Sequence, residues 1–328
     1  MQHTHPHRSW SQRFLLGVGV LGTVMSLLAA MVLTWGLQRF NNIRFVSVAN
    51  VEQAPPGEPS NWLLVGSDSR EGVDPNDPNA AVIFGDEAPS GKRTDTIMVA
   101  RLDPETQSID LMSVPRDLWV TKAESGDKGR INSAFNGEGG DSRLVATVED
   151  ALDIDINNYA EINFMGFQSV IEAMGGVHLY FEFPARDPKS GLDIPEPGCH
   201  LVNGSQALAF ARSRSYQTLE NGEWNTDGSG DLGRTQRQQY LMTRMASTAV
   251  DAVDLTSIPT VQRILDVGGQ NLMIDDRAGA SDLLSLARTF SAVGAEGIRR
   301  HVLPVTPRRT SGGSDVLDLN VDEAGPVL

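Results

Sequence analysis

The sequence contains very little cysteine. Cys199 is the one thiol among 328 residues, so no disulfide can form within the chain. A domain of this length buries a large core without disulfides, and their absence therefore does not exclude an oxidising compartment. With no second thiol to pair with, Cys199 is interpreted as a structural or bystander residue and not as a nucleophile.

Positive charge is also scarce. The chain has 27 Lys and Arg residues against 42 Asp and Glu residues, and its net charge is -15. Binding to nucleic acid requires clustered basic side chains, so this composition argues against a nucleic-acid partner. Any phosphate-binding site must be a local cluster of basic side chains in an otherwise acidic protein.

Several common catalytic signatures are missing from the sequence. It has no Gly-x-Ser-x-Gly elbow, no P-loop lysine motif and no paired-cysteine zinc spacing. Ser67 lies in Gly-Ser-Asp-Ser, which does not match the elbow, so we do not expect it to act as a nucleophile. Three large classes of site are thereby excluded: serine-hydrolase, P-loop and structural-zinc sites.

Long apolar runs are limited to one, at residues 14–37, which carries no charge. About 20 apolar residues cross a bilayer as a helix, and this run is long enough. A cleaved signal peptide would have a shorter apolar region, and the end of the run at Trp35 and Arg39 suits an interfacial anchor. We therefore predict a cytoplasmic tail at 1–13, a transmembrane helix at 14–37 and a linker at 38–60.

The remaining chain is expected outside the cytoplasm of a single-pass membrane protein. Arg8 and Arg13 precede the apolar run, and the positive-inside rule then modestly favours a cytoplasmic N-terminus. No second apolar segment of spanning length follows. The predicted localisation is the cell membrane, with the C-terminal domain extracytoplasmic.

The soluble part, residues 61–309, combines strand and helix patterns. Short apolar runs predict strands, and Asp103 to Thr106 supplies turn chemistry for an antiparallel hairpin. Apolar residues recur at helical spacing over 144–152 and 164–174, and a long helix is predicted at 233–251. The fold class is therefore α/β with a mixed central sheet. The last residues, 310–328, are predicted to form a disordered acidic tail.

Aspartates and arginines are concentrated at the ends of these predicted elements. Ligands of α/β proteins bind at the loop-facing ends of strands, and arginine recognises phosphate oxygens with two parallel donors. One such motif alone is typical of a surface ion pair, but several together predict a pyrophosphate site. The residues in question are Asp68, Arg93, Asp95, Arg116, Arg212, Arg214, Arg234 and Gln238.

Two details sharpen this prediction. Arg234 and Gln238 are four residues apart, so they share one face of the first turns of the long helix, where the helix dipole favours an anion. Asp68 and Asp95 could together hold a divalent cation such as Mg²⁺, which shares phosphate oxygens and neutralises charge during phosphoryl transfer.

The chain resembles the LytR-CpsA-Psr family. The resemblance covers roughly residues 60 to 250 and is carried by LLVGSDSR, KRTDTIMVARLD, LMSVPRDLWV, RINSAFNGEGG, NFMGFQSVIEAMGGV, LVNGSQALAFARSR and LGRTQRQQ. It implies an extracytoplasmic α-β-α sandwich that holds a polyprenyl pyrophosphate tail in an apolar pocket. It also implies Mg²⁺-assisted transfer of a phospho-glycan from that carrier to peptidoglycan or another envelope acceptor.

The resemblance also implies a role for each matching residue. Asp95 and Arg116 would be catalytic, and Asp68 and Asp95 would bind the metal. Asp95 could act as the base, as a metal ligand, or as both. Thr94 and Leu232 stand where the family commonly has Ser and Phe, and neither change removes a charge. The pyrophosphate-binding residues would be Arg93, Arg116, Arg212, Arg214, Arg234 and Gln238.

Two other functions are compatible with the same residues. A binding protein could hold lipid-linked precursors without turnover, and a hydrolase could cleave the lipid pyrophosphate with water as acceptor. The apolar helix at 164–174 is likewise compatible with ordinary core or with the wall of a tail-binding pocket, and different faces of one helix can serve both.

Overall fold

The computed structural model describes residues 44–49, 51–55, 57–67, 94–252, 272–279 and 297–325, with five single residues between 282 and 293. The predicted transmembrane helix at 14–37 and two predicted site residues, Asp68 and Arg93, lie outside this part of the chain. Within it, no helix is long and apolar enough to span a bilayer.

The described elements follow one another in this order. The first half contains β1 (Arg44–Val46), β2 (Ser60–Ser67), β3 (Thr94–Asp103), β4 (Ser108–Ser113), β5 (Trp119–Thr121), β6 (Lys128–Arg130), a 3₁₀ helix (Ile131–Phe135), α1 (Gly140–Leu152), β7 (Asn158–Asn163), α2 (Phe164–Ala173) and β8 (Val177–Phe181). The second half contains β9 (Ala185–Asp187), β10 (Leu192–Ile194), β11 (Gly198–Val202), α3 (Gly204–Arg212), β12 (Gln217–Glu220), β13 (Glu223–Thr226), α4 (Gly230–Ala252), β14 (Leu272–Asp275), β15 (Ile298–Val302), β16 (Val305–Arg309), β17 (Asp315–Leu319) and α5 (Val321–Ala324).

A seven-stranded mixed sheet in the order β1-β14-β7-β2-β3-β4-β15 forms the centre of the domain. Strand β2 is parallel to β7 and antiparallel to β3, while β4 is antiparallel to β3 and parallel to β15. The C-terminal ends of β2, β4 and β7 therefore meet the N-terminal end of β3 at one edge, called here the site edge. The mixed α/β fold predicted from the sequence is confirmed.

Helix α1 and the 3₁₀ helix cover one face of this sheet. Leu63 and Val65 point to that face because side chains alternate along a strand, and they pack with buried Leu144 and Val148 of α1. Tyr159 of β7 is fully buried in the same cluster. Burial of this apolar stripe explains why α1 forms, since helices of this length gain most of their stability from packing.

Helices α2, α3 and α4 lie on the opposite face. Asn163 ends β7 and caps α2, accepting a hydrogen bond from the Gly166 amide at 2.8 Å. The left-handed residues Gly175 and Gly176 follow the helix, where an L side chain would be strained. Asn203 and Gln206 form a capping box at the start of α3. These signals fix where each helix begins and ends.

The predicted linker at 38–60 is wrong for its middle part. Arg44–Val46 forms β1, which pairs in parallel with β14, and both Val48 and Val51 are buried in the core beneath α1. The Pro- and Gly-rich stretch that follows is typical of a linker. The apolar residues before it pair with a strand more than 220 positions away along the chain, and no local pattern predicts such a partner.

The predicted disordered tail at 310–328 is also wrong over most of its length. Strand β17 pairs antiparallel with β16, and Val316 and Ala324 are buried. The Leu317 amide donates to the Asp117 carbonyl at 3.0 Å. Acidic composition at a chain end favours disorder, but the apolar residues between the acids pack against the surface of the domain.

Candidate functional site

Four elements deliver charged side chains to the site edge. Asp95 is the second residue of β3, and Arg116 lies in the loop after β4. Arg214 follows the C-terminus of α3, and Arg234 lies in the first turns of α4. Residues that are far apart in sequence meet here because the sheet brings these strand ends together and α3 and α4 pack over them.

Three arginines converge on Asp95. Arg116 Nη1 lies 2.6 Å from Asp95 Oδ1, and Arg214 Nη2 lies 3.3 Å from the same oxygen. Arg234 Nη2 donates to the main-chain oxygen of Asp95 at 3.5 Å. We call Arg116, Arg214 and Arg234 the arginine cluster.

A second carboxylate, that of Asp231, contacts the same arginine cluster. Its Oδ1 lies 2.8 Å from Arg234 Nη2, 3.5 Å from Arg214 Nε and 3.7 Å from Arg116 Nε. Asp231 is not among the site residues predicted from the sequence. Its position in the first turn of α4, three residues before Arg234, was the available signal, because acidic residues are favoured at helix N-termini.

Burial and charge pairing have opposite effects on the pKa values of the buried groups in the cluster. Burial raises the pKa of Asp95, but the nearby Arg234, Arg116 and Arg214 outweigh it and hold the pKa below its usual value. Burial, together with the neighbouring Arg214 and Arg116, lowers the pKa of Arg234 to about 10. Asp95 and Arg234 are therefore charged at neutral pH, and an incoming anion would offset the repulsion between Arg234 and the neighbouring arginines.

Two more predicted phosphate ligands lie beside the arginine cluster. The side-chain Nε2 of Gln238 donates to the Ala211 carbonyl at 3.1 Å, which connects α4 to the end of α3. The Arg212 guanidinium lies over the Phe164 ring, 4.8 Å from its centroid. Of the predicted set, the structure therefore brings together Asp95, Arg116, Arg212, Arg214, Arg234 and Gln238.

An apolar cavity of about 440 Å³ opens beside the cluster. It lies between the sheet and helices α2, α3 and α4, and Asp95, Arg212, Arg214 and Arg234 border it. The helix predicted at 164–174 serves in both ways considered above, because Phe164 and Phe167 line the cavity while Ile171 belongs to the core. The apolar walls are supplied by Leu64, Met98, Ala160, Ile162, Phe164, Phe167, Leu208, Leu241, Met242, Met245 and Leu272.

A divalent cation at this site would rely on few protein ligands. Among the described residues, no group of three or more His, Cys, Asp or Glu side chains could hold a metal. Asp95 does fit Mg²⁺, because both arginine contacts use Oδ1 and, among the described partners, none uses Oδ2. Mg²⁺ is commonly held by one or two carboxylates together with substrate phosphates, so one protein carboxylate here is sufficient.

Comparisons with known proteins agree with this architecture. A probable cell wall biosynthesis protein, LcpB, from Corynebacterium glutamicum is 35% identical over 70% of this chain, which spans only about half (52%) of that protein. The polyisoprenyl-teichoic acid–peptidoglycan teichoic acid transferase TagU from Bacillus anthracis is 28% identical over 87% of this chain and 92% of its own length.

Solved structures share the fold. The LytR-Csp2A-Psr enzyme from Actinomyces oris superposes with a TM-score of 0.66 at 23% identity, covering 87% of this chain and 95% of that one. The sequence model of the LytR_cpsA_psr family matches residues 40–326, which include every described element of the domain. This chain belongs to the LytR-CpsA-Psr family.

Proposed function

We propose that this protein transfers a phospho-glycan from a polyprenyl-pyrophosphate carrier to peptidoglycan or another acceptor of the cell envelope. One observation carries the proposal: three arginines and Asp95 meet at the border of a large apolar cavity. A ligand that suits both surfaces has a polyanionic head and a long apolar tail. The relative TagU is named as a transferase of teichoic acid from a polyisoprenyl carrier to peptidoglycan, a donor and an acceptor of this kind.

The binding pose follows from the chemistry of each surface. Guanidinium groups pair with phosphate oxygens through two parallel donors, so the arginine cluster receives the diphosphate. The isoprenoid tail occupies the cavity, where each buried methylene contributes about 0.8 kcal/mol. Arg212 and Gln238 border the same opening and would contact the head group.

The proposed step is a displacement at the phosphorus that bears the glycan. The acceptor hydroxyl oxygen forms a new P–O bond there, and the bond from that phosphorus to the bridging oxygen breaks. The polyprenyl monophosphate leaves with the bridging oxygen, and the hydroxyl proton passes to a base or to solvent. Arg116 and Arg214 stabilise the negative charge that develops on the non-bridging oxygens.

The role of Asp95 is constrained by its charge state. Because its pKa lies below the usual value, Asp95 is ionised and is a weak base, and we propose cation binding as its main role. Bound Mg²⁺ would neutralise diphosphate charge. Asp95 Oδ2 would hold the cation, and Asp68, outside the described residues, is the expected second ligand.

A transfer assay with defined substrates tests the proposal. Full-length protein in detergent is incubated with Mg²⁺, a synthetic polyprenyl-pyrophosphate disaccharide and a peptidoglycan fragment, and the phosphodiester product is detected by mass spectrometry. We expect Arg116→Ala to lower the rate by about 100-fold or more, because a charge-stabilising donor is lost. Arg299→Ala is the matched control, since Arg299 pairs with Asp110 at the opposite end of β4.

The same assay separates transfer from the two competing functions. Phosphate release that is unchanged by omission of the peptidoglycan fragment would identify a hydrolase. Tight binding of the donor without any product would identify a binding protein. An Arg116→Ala variant that transfers as fast as the wild type would refute the proposal itself.

A further inference from the structure

A fully buried carboxylate lies behind the arginine cluster. Asp187 ends β9 and its side chain is 0% exposed. Three groups from consecutive residues donate to its Oδ2: the Ser213 hydroxyl at 2.7 Å, the Arg214 amide at 3.0 Å and the Ser215 amide at 2.8 Å. The Lys189 amide donates to Oδ1 at 2.9 Å.

This arrangement makes Asp187 a charged group satisfied by neutral donors. Among the described residues, no Arg or Lys side chain forms an ion pair with it. Burial raises its pKa, but hydrogen bonds from the Ser213 hydroxyl and the Ser215 and Lys189 amides lower the pKa below its usual value. The carboxylate is therefore ionised, and its hydrogen bonds hold the backbone of residues 213–215 in place.

Fixing this backbone determines where Arg214 points. Ser213 follows α3 in an extended conformation, so its side chain and that of Arg214 project in different directions. Ser213 is turned inward to Asp187 and is itself fully buried, while Arg214 is turned outward to Asp95 and Asp231. Arg237 holds the same segment from the other side by donating to the Ser213 carbonyl at 2.9 Å.

We propose that Asp187 is a positioning residue for the phosphate site: its carboxylate orients the turn at 213–215 so that Arg214 reaches the diphosphate. This inference rests on the proposed function. Asp187 also lines the apolar cavity, but its carboxylate is occupied by hydrogen bonds from the protein, and we assign its effect on the phosphate site to Arg214. The hydrogen bonds of an arginine to phosphate weaken steeply when their geometry is disturbed. A buried group that orients Arg214 therefore affects anion binding.

The test is a double-mutant cycle with inorganic pyrophosphate as the probe. Calorimetric titration of the full-length protein in detergent gives the dissociation constant for wild type, Asp187→Asn, Arg214→Ala and the double variant. Asp187→Asn places an NH₂ group against existing donors, and we expect about tenfold weaker binding from loss of one charged hydrogen bond. In the Arg214→Ala background the same change should alter binding by less than about twofold.

The outcome that overturns the inference is additivity. If Asp187→Asn weakens binding equally with and without Arg214, its effect does not pass through that side chain. Asp275→Asn is the matched control, because Asp275 is also 0% exposed and accepts hydrogen bonds from the backbone amides of Tyr159 and Ala278. Tyr159 lies near the end of β7 that is away from the site edge. Asp275→Asn should lower stability and leave pyrophosphate binding unchanged.

A second measurement separates this inference from the proposed function. Hydrogen–deuterium exchange at the Arg214 and Ser215 amides should accelerate in Asp187→Asn, whether or not pyrophosphate binds. Unchanged exchange overturns the inference even if the wild type binds pyrophosphate, whereas a wild type that does not bind pyrophosphate refutes the proposed function. If Asp187→Asn does not fold, Ser213→Ala removes only the hydroxyl bond, and its effect on binding should likewise vanish without Arg214.

Discussion

At the residue scale, the charge balance of the site explains how an acidic protein binds an anion. Four guanidinium groups face three carboxylates, which leaves a local excess of one positive charge. The arginines are Arg116, Arg130, Arg214 and Arg234, and the aspartates are Asp95, Asp117 and Asp231. The net charge of the whole chain is -15. Arg234 is buried, and Asp95, Asp231 and Arg116 are half-buried, so their local field is screened less than that of the distant surface acids.

Asp231 is the carboxylate that competes most directly with a bound diphosphate. We expect Asp231→Asn to strengthen binding of inorganic pyrophosphate several-fold, because the anion no longer has to displace a carboxylate from three arginines. The measurement is calorimetric titration at low and at high salt, since the gain should shrink as salt screens the charges. Weaker binding by the variant at low salt would mean that Asp231 orients the arginines instead of competing for them.

At the element scale, the three helices α2, α3 and α4 stand off from the sheet and leave the cavity between them. Ala160 of β7 lies on the cavity floor and is one of the small side chains that keep this space open. The arginine cluster, in contrast, depends on strand ends and helix starts. The proposed tail site is therefore formed by the sheet face and the helix sides, and the proposed head-group site by the ends of the strands and helices.

This separation predicts that one substitution can block the tail alone. Ala160→Phe places an aromatic ring in the cavity, and we expect about tenfold weaker binding of a long-chain polyprenyl phosphate because tail volume is lost. Binding of inorganic pyrophosphate should change by less than about twofold, which provides the internal control. Equal loss of both ligands would show that the sheet has shifted and that the cavity and cluster are not separable.

The sequence predicted these elements well where a local signal exists. The apolar periodicity and Gly175-Gly176 stop of α2 are local, and so is the hairpin at Asp103. The arginines were identifiable because each stands at an element end. Asp231 had one local signal, its position in the first turn of α4. Asp187 had none, since its importance comes from contacts with Ser213 and the two residues after it, and those contacts exist only in the folded domain.

At the scale of the whole molecule, the domain extends beyond both boundaries that the sequence suggested. Strand β1 adds one edge of the sheet, and the hairpin β16–β17 packs against the loop that carries Arg116. The Arg130 guanidinium donates to the Asp315 carbonyl at 3.0 Å and pairs with Asp117 at 3.2 Å. The C-terminal region is therefore part of the support of the site.

A matched pair of substitutions tests this support. Val316 is 2% exposed and Val321 is 70% exposed, although they are five positions apart in the same segment. We expect Val316→Ala to lower the free energy of unfolding by roughly 1–2 kcal/mol, because buried methyl groups are lost. Val321→Ala should change it by less than about 0.5 kcal/mol. Urea unfolding gives both values, and two neutral substitutions would restore the idea of a disordered tail.

The hydrogen bond from Leu317 to Asp117 has a consequence for biosynthesis. The two partners are 200 positions apart in the sequence, and the strand that supports the Arg116 loop is among the last parts of the domain to be translated. A nascent chain can pack the earlier strands as they emerge, but the loop lacks this hydrogen bond until β17 has been translated. Full anion affinity is thus acquired late, and a truncated translation product would form a sheet with a weakened site.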